Sequence, residues 1–108
     1  MNPSHPVIDP ELLRGAAAQA VGVLKLLANE DRLLLLCQLS QGERSVSELE
    51  EQLGIHQPTL SQQLGVLRSE GVVNTRRQGK NIYYSVAKPE TLEILAVLYR
   101  LYCSQGEI

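Results

Sequence analysis

Residues 45–71, SVSELEEQLGIHQPTLSQQLGVLRSEG, read as two short helices around a turn. Ser45 and Glu48 have capping-box spacing: the serine oxygen accepts from the third helical N–H, and the Glu48 carboxylate reaches back to the Ser45 N–H. The helix so opened carries Val46, Leu49 and Leu53 inward. Gly54 closes it, because a residue without a β-carbon takes the left-handed conformation there at little cost. Ile55-His56-Gln57 makes the turn, and Pro58 fits the first turn of the next helix, where its missing N–H leaves no intrahelical bond unmade. In that second helix Leu60, Leu64 and Leu67 form a narrow apolar stripe. Thr59, Ser61, Gln62, Gly65 and Ser69 fall on the other face, which is small, uncharged and hydrogen-bonding. Such a face suits a DNA major groove, whose base edges present matching donors and acceptors. The same pattern also fits an amphipathic helical hairpin with no ligand, so the flanking sequence has to decide.

Residues 72–86, VVNTRRQGKNIYYSV, change period from helical to alternating and are rich in β-branched and aromatic side chains. Gln78-Gly79 lies midway between the two runs and reads as the tip of a hairpin, with glycine free to take positive φ. Arg76, Arg77 and Lys80 flank it. A basic hairpin directly after a recognition-type helix is the wing of a winged helix, although a solvated charged turn has the same composition. The charge distribution favours the wing. Residues 57–88 hold five basic side chains against one acidic, whereas residues 1–56 hold four against eight and residues 89–108 one against three. A chain of net charge −2 thus carries its positive field on the one segment that would meet phosphate.

Outward from this centre, residues 11–28 predict a helix whose leucines and alanines make an apolar surface too wide for one core-facing stripe. Asn29 caps a second helix that runs through Leu39 and stops at Ser40-Gln41-Gly42, with Glu30 and Asp31 at the positive end of its dipole. The last helix, 89–103, opens on Pro89 and Glu90. Leu92, Ile94, Leu95, Val97, Leu98, Tyr99, Leu101 and Tyr102 cover nearly its whole circumference, so it must be buried on more than one side. One small domain cannot bury both terminal helices, and the surplus implies a homodimer through them. A two-fold dimer would present two recognition helices to a pseudo-palindromic site. The alternative is a single thicker core.

The expected fold class is therefore mainly α with a small β-hairpin, a winged helix-turn-helix in the order α-α-α-α-β-β-α. Its divisions are a flexible segment at 1–10, one domain at 11–104 and a tail at 105–108. Within the domain lie the helix-turn-helix (45–71), the wing (72–86) and the dimerisation helices (11–28 and 89–103). At 108 residues and 44% apolar composition the chain makes a core without disulfide staples. Residues 1–10 hold three prolines and no Lys or Arg, unlike a signal peptide, and apolar runs such as Leu33–Cys37 are far too short to cross a bilayer. A cytoplasmic location and no membrane partner are expected. His5, in the proline-rich start, reads as solvated rather than as a ligand.

Across nearly its entire length the sequence resembles the ArsR-type winged helix-turn-helix repressors of bacteria. The residues that carry the resemblance are Leu27 to Leu33 (LANEDRL), the Ser45–Leu53 helix, Gln57 to Arg68 (QPTLSQQLGVLR), Glu70 to Val73 (EGVV) and Arg77 to Tyr84 (RQGKNIYY). The family implies a non-enzymatic dimer that binds double-stranded operator DNA and is released when a small inorganic inducer is sensed. The DNA contacts expected on this chain are Gln57, Thr59, Ser61, Gln62, Gln63 and Arg68 of the recognition helix, and Arg76, Arg77 and Lys80 of the wing. One departure is His56, where the family usually has a serine capping the recognition helix.

Metal-sensing members often carry Cys-x-Cys at the start of the first helix of the motif, or His and acidic ligands on the last helix. Residues 45–53 have no Cys and residues 89–103 no His, so a metal site or other cofactor is not expected. The two cysteines of the chain are Cys37, in the second helix, and Cys103, near the end of the last. By themselves they also read as small buried hydrophobes. Their placement resembles the BigR/SqrR-like branch of the family, which responds to sulfide-derived persulfides through one cysteine in each of these helices. That resemblance makes Cys37 and Cys103 the sensor thiols and reactive sulfur species the covalent inducer. Arsenite or another metal and peroxide are the alternatives within the family. A dithiol oxidoreductase would normally show Cys-x-x-Cys or a His-activated Cys, and neither is present. A protein-binding winged helix would not need the cationic cluster at 76–80.

Overall fold

All five helices contribute leucines to one core, which holds the helix-turn-helix against the sheet in an elongated molecule. The structure is a computed structural model and describes residues 8–103. Of the flexible segment expected at 1–10, residues 1–7 lie outside the described residues, as do His5 and the tail expected at 105–108, and Pro10 already belongs to a helix. The elements run α1 (Pro10–Leu27), α2 (Glu30–Leu39), β1 (Arg44–Ser45), α3 (Val46–Leu53), α4 (Thr59–Ser69), β2 (Val73–Gln78), β3 (Asn81–Val86) and α5 (Pro89–Tyr102).

α1, α2 and α3 each start where the N-cap side chain takes an orphan N–H. Asp9 accepts from the Glu11 N–H at 2.9 Å, so α1 begins at Pro10, one residue before the start predicted for it. Asn29 accepts from the Arg32 N–H at 3.0 Å and opens α2. The capping box of α3 forms as expected: the Glu48 N–H donates to Ser45 Oγ (3.2 Å) and the Ser45 N–H to Glu48 Oε1 (2.8 Å). Gly54 ends that helix at φ +69°. Pro58 is not inside α4 but just before it, where its carbonyl accepts from the Gln62 N–H at 3.1 Å.

The sheet departs from the expected two-stranded hairpin. It has three antiparallel strands in the order β1-β3-β2, with Arg44 opposite Tyr84 and Ser45 opposite Tyr83. The wing pairs Val73 with Val86 through to Gln78 with Asn81, so its tip is Gly79-Lys80 rather than Gln78-Gly79. Positive φ is needed at the first loop position only; Gly79 supplies it at +62°, and Lys80 follows at negative φ. Register is set on the buried side, where Val73 and Tyr84 enter the core.

That core is Leu35, Leu36 and Leu39 of α2, Leu49 of α3, Leu60, Leu64 and Leu67 of α4, and Leu95 of α5, each no more than 2% exposed. The three α4 leucines form the buried stripe expected for them. In α1, by contrast, only Leu26 and Leu27 are buried, and the helix projects from the body with Leu12, Leu13, Val21 and Leu24 exposed. Leu92, Val97, Tyr99, Leu101 and Tyr102 of α5 are exposed as well. The radius of gyration is 16.4 Å, against about 13 Å for a compact chain of this length.

Candidate nucleic-acid interface and thiol pair

With Leu60, Leu64 and Leu67 buried, α4 turns Ser61, Gln62, Gly65 and Ser69 to solvent, with Thr59 half-buried at its start. Ser69 Oγ donates back to the Val66 carbonyl at 3.0 Å. The Gln62 amide has no hydrogen-bond partner among the described residues and stands nearly opposite the leucine stripe. It is thus free to donate and to accept, as reading a base edge requires. Its two neighbours in the sequence pattern are spent locally. Gln57 Oε1 accepts from the Ser61 N–H at 3.1 Å and so does the capping that His56 does not. Gln63 Oε1 accepts from Arg32 Nη1 at 3.0 Å. His56 turns away from α4, its Nδ1 lying 3.2 Å from Glu50 Oε2.

Arg32 was not among the residues expected to matter. Besides its bond to Gln63, its Nε donates to the Leu26 carbonyl (2.7 Å) and its Nη2 to the Lys25 carbonyl (3.2 Å). It therefore caps the end of α1, where free carbonyls and the negative end of the dipole favour a cation, and joins that end to α4. A lone arginine three residues after the Asn29 cap, with five apolar residues following, is the only hint the sequence carries.

The three wing cations are not equivalent. Alternation along β2 puts Arg76 and Arg77 on opposite faces of the sheet, opposite Tyr83 and Ile82 respectively. Arg77, Lys80 and, at the end of α4, Arg68 are exposed. Arg76 is held from several sides: Nη2 donates to Glu43 Oε1 (2.7 Å), Nε to Glu43 Oε2 (3.1 Å) and Nη1 to Gln78 Oε1 (2.7 Å). Its guanidinium carbon lies 4.8 Å from the centre of the Tyr83 ring. The hydrogen bond and charge of Arg76 hold the Glu43 carboxyl below its ordinary range, and Glu43 raises Arg76 in turn.

Cys37 and Cys103 are both free thiols. Cys37 lies half-buried on α2, packed against the core, while Cys103 is exposed at the C-cap of α5, where its N–H donates to the Tyr99 carbonyl at 2.8 Å. Burial pushes the Cys37 thiol above its usual value, and the proximity of Cys103 pushes it further. α5 packs on α2, and two thiols 66 positions apart in sequence lie near enough for the charge of one to act on the other. Among the described residues no three His, Cys, Asp or Glu side chains are grouped so as to hold a metal ion, and no helix is long and apolar enough to cross a membrane.

Known proteins share this fold. The profile described as bacterial regulatory protein, arsR family, matches residues 29–75. A biofilm growth-associated repressor of Agrobacterium fabrum is 50% identical over 91 residues, 84% of this chain and 78% of the relative. The crystal structure of the transcriptional repressor BigR from Xylella fastidiosa superposes with a TM-score of 0.82 at 45% identity, covering 89% of this chain and 98% of that one. Reduced HlyU from Vibrio cholerae superposes equally well, at 0.82 and 41% identity, over 86% and 98% of the two chains. With the fold, the helix-turn-helix segment and a relative half identical over most of both chains in agreement, the chain belongs to the arsR family of bacterial regulatory proteins.

Proposed function

We propose that this protein is a dimeric transcriptional repressor that releases its operator when reactive sulfur species bridge Cys37 and Cys103. Gln62, Ser61 and Thr59 read base edges in the major groove, and Gln57 and Gln63 set the pose of α4 while contributing to the same surface. Arg68, Arg77 and Lys80 bind phosphate, which orients the protein without reading sequence. The exposed apolar faces of α1 and α5 support the dimer, because patches of this kind on a small domain mark interfaces. Relatives described as repressors support the direction of regulation. The observation that supports the switch is the packing of α5 on α2, with Cys37 beside the core of the reading head and feeling the charge of Cys103, on a helix whose exposed face we assign to the dimer.

The order of the chemistry follows from exposure. The Cys103 thiolate attacks the terminal sulfur of a persulfide donor, forming a Cys103 persulfide and releasing the donor as a thiol. When Cys37 is converted in the same way, its deprotonated persulfide attacks the inner sulfur of the Cys103 persulfide. One S–S bond forms, one breaks, hydrosulfide leaves, and a trisulfide joins α2 to α5 with no external oxidant. A bridge with an extra sulfur is longer and more flexible than a disulfide, so it tolerates a wider gap than the ~4.4–6.8 Å Cα separation that a disulfide demands. Tying the helices together shifts the two reading heads relative to each other, and a coupling of about 1–3 kcal/mol lowers operator occupancy several-fold to a hundredfold.

The test combines intact mass with an electrophoretic shift on the region upstream of the protein's own gene. A persulfide donor should leave one sulfur more than a disulfide between the two cysteines and release the DNA. Cys37→Ser and Cys103→Ser should bind when reduced and stay bound after treatment. Release by either variant removes the two-thiol bridge. Release of the parent protein by arsenite or peroxide but not by persulfide replaces the inducer.

A further inference from the structure

By composition the wing offers three equivalent phosphate ligands, but only two of them, Arg77 and Lys80, have side chains without a partner among the described residues. Nε and Nη2 form the edge with which an arginine grips a phosphate through two parallel bonds. In Arg76 both atoms of that edge already donate to the two oxygens of Glu43, at 3.1 and 2.7 Å. Nη1 is engaged by Gln78, and Tyr83 lies against the guanidinium. An isolated surface ion pair would open readily. Here the fork-on-fork geometry and two further partners fix the side chain before any ligand arrives.

Exchange of the carboxylate for a phosphate would also be poorly rewarded. Phosphate binding by cations is driven by release of condensed counterions. Opening the pair to bind one phosphate would leave the Glu43 carboxylate unpaired beside the polyanion, and its repulsion would offset the gain. We infer that Glu43 withholds Arg76 from DNA, so that the wing binds phosphate through Arg77 and Lys80 alone and the nonspecific affinity of the protein is held down. This rests on the chain being a DNA-binding protein and is independent of how the thiols act. Glu43 is a positioning residue in this account. It sits on the loop between α2 and β1, outside the reading helix, and touches DNA in neither state.

The experiment measures binding of the full-length dimer to a duplex of scrambled sequence as a function of salt. Glu43→Gln keeps the shape of the side chain and removes its charge. It should steepen the slope of log K against log salt by about 0.9 per protomer, or about 1.8 per dimer. At 0.15 M salt the same relation gives roughly a 5-fold gain per protomer and roughly a 30-fold gain per dimer. The double variant Glu43→Gln/Arg76→Gln restores the net charge of the parent and should restore its slope. A double variant flatter than the parent by about 0.9 per protomer would mean that Arg76 grips phosphate in the parent and would overturn the inference. So would a Glu43→Gln variant with an unchanged slope, or one that binds more weakly while its circular dichroism and melting temperature match the parent's. A parent protein that binds neither scrambled nor upstream DNA refutes DNA binding itself, a different outcome from a parent that binds with a slope Glu43 does not influence.

Discussion

Replacing Arg32 tests how firmly the reading helix is tied to the projecting first helix. The side chain makes three hydrogen bonds, to the carbonyls of Leu26 and Lys25 and to the amide of Gln63. Hydrogen bonds to charged groups contribute about 1.5–3 kcal/mol where sheltered. The Leu26 bond, short and part-buried at 2.7 Å, is assigned about 1.5 kcal/mol, the lower end of that range. Solvent reduces the others, to about 1 kcal/mol for Gln63 and about 0.5 kcal/mol for the exposed Lys25 bond. Arg32→Ala should therefore cost about 3 kcal/mol, which for a domain of this size lowers the melting temperature by roughly 10–20 °C. Arg32→Lys keeps a cation at the end of α1 but loses the planar fork, and should recover only about a third of the loss. Thermal melts followed by circular dichroism, at one fixed protein concentration because a dimer's melting point depends on it, give both numbers. An Arg32→Ala protein that melts within about 3 °C of the parent would refute the reasoning. So would a lysine variant indistinguishable from the parent.

Gln62→Ala should lower operator affinity by about 1–3 kcal/mol and leave scrambled DNA unaffected, as expected when one base-edge pair is lost; parallel titrations of the two duplexes decide it. Leu24→Glu and Leu101→Glu place charges on the exposed apolar faces of α1 and α5, and each should yield a folded monomer in sedimentation with loss of tight operator binding. Alkylation of Cys37, followed by peptide mass, should rise with pH through a midpoint above the ordinary thiol value of about 8.5, because a raised pKa leaves less thiolate at any given pH. Cys103→Ser should bring that midpoint only part of the way down, since burial, the larger cause, remains.

Where a residue's role is local, its position in the sequence discloses it. Ser45, Glu48 and Gly54 act within one helix, and the leucines at 60, 64 and 67 repeat at the helical period, so the helix-turn-helix is legible to within a residue. β1 has two residues, too few for any periodicity, and it exists only because β3 offers an edge to pair with. The tip of the wing moved by one residue because register is chosen by Val73 and Tyr84 in the core, not by the turn dipeptide. The partners of Arg32 and Arg76 include residues 31 and 33 positions away, at Gln63 and Glu43, and no local pattern announces them. Hence the sequence presents Arg76, Arg77 and Lys80 as one cluster, and the fold separates them. The thiol pair is an intermediate case: spacing alone says nothing about Cys37 and Cys103, and only the resemblance to a family paired them.

Ser45 is both the last residue of β1 and the N-cap of α3, and this sharing governs how the domain opens. Its pairing with Tyr83 belongs to the sheet, while its Oγ and N–H belong to the first turn of the helix. Peeling β1 from β3 therefore pulls the cap out of α3, and fraying α3 loosens the sheet edge. In native-state hydrogen exchange, the Glu48 amide and the amides linking β1 to β3 should exchange as one cooperative unit. Denaturant should shift their opening free energies together, whereas the first turns of α1, which share no such residue with the sheet, should exchange on their own schedule.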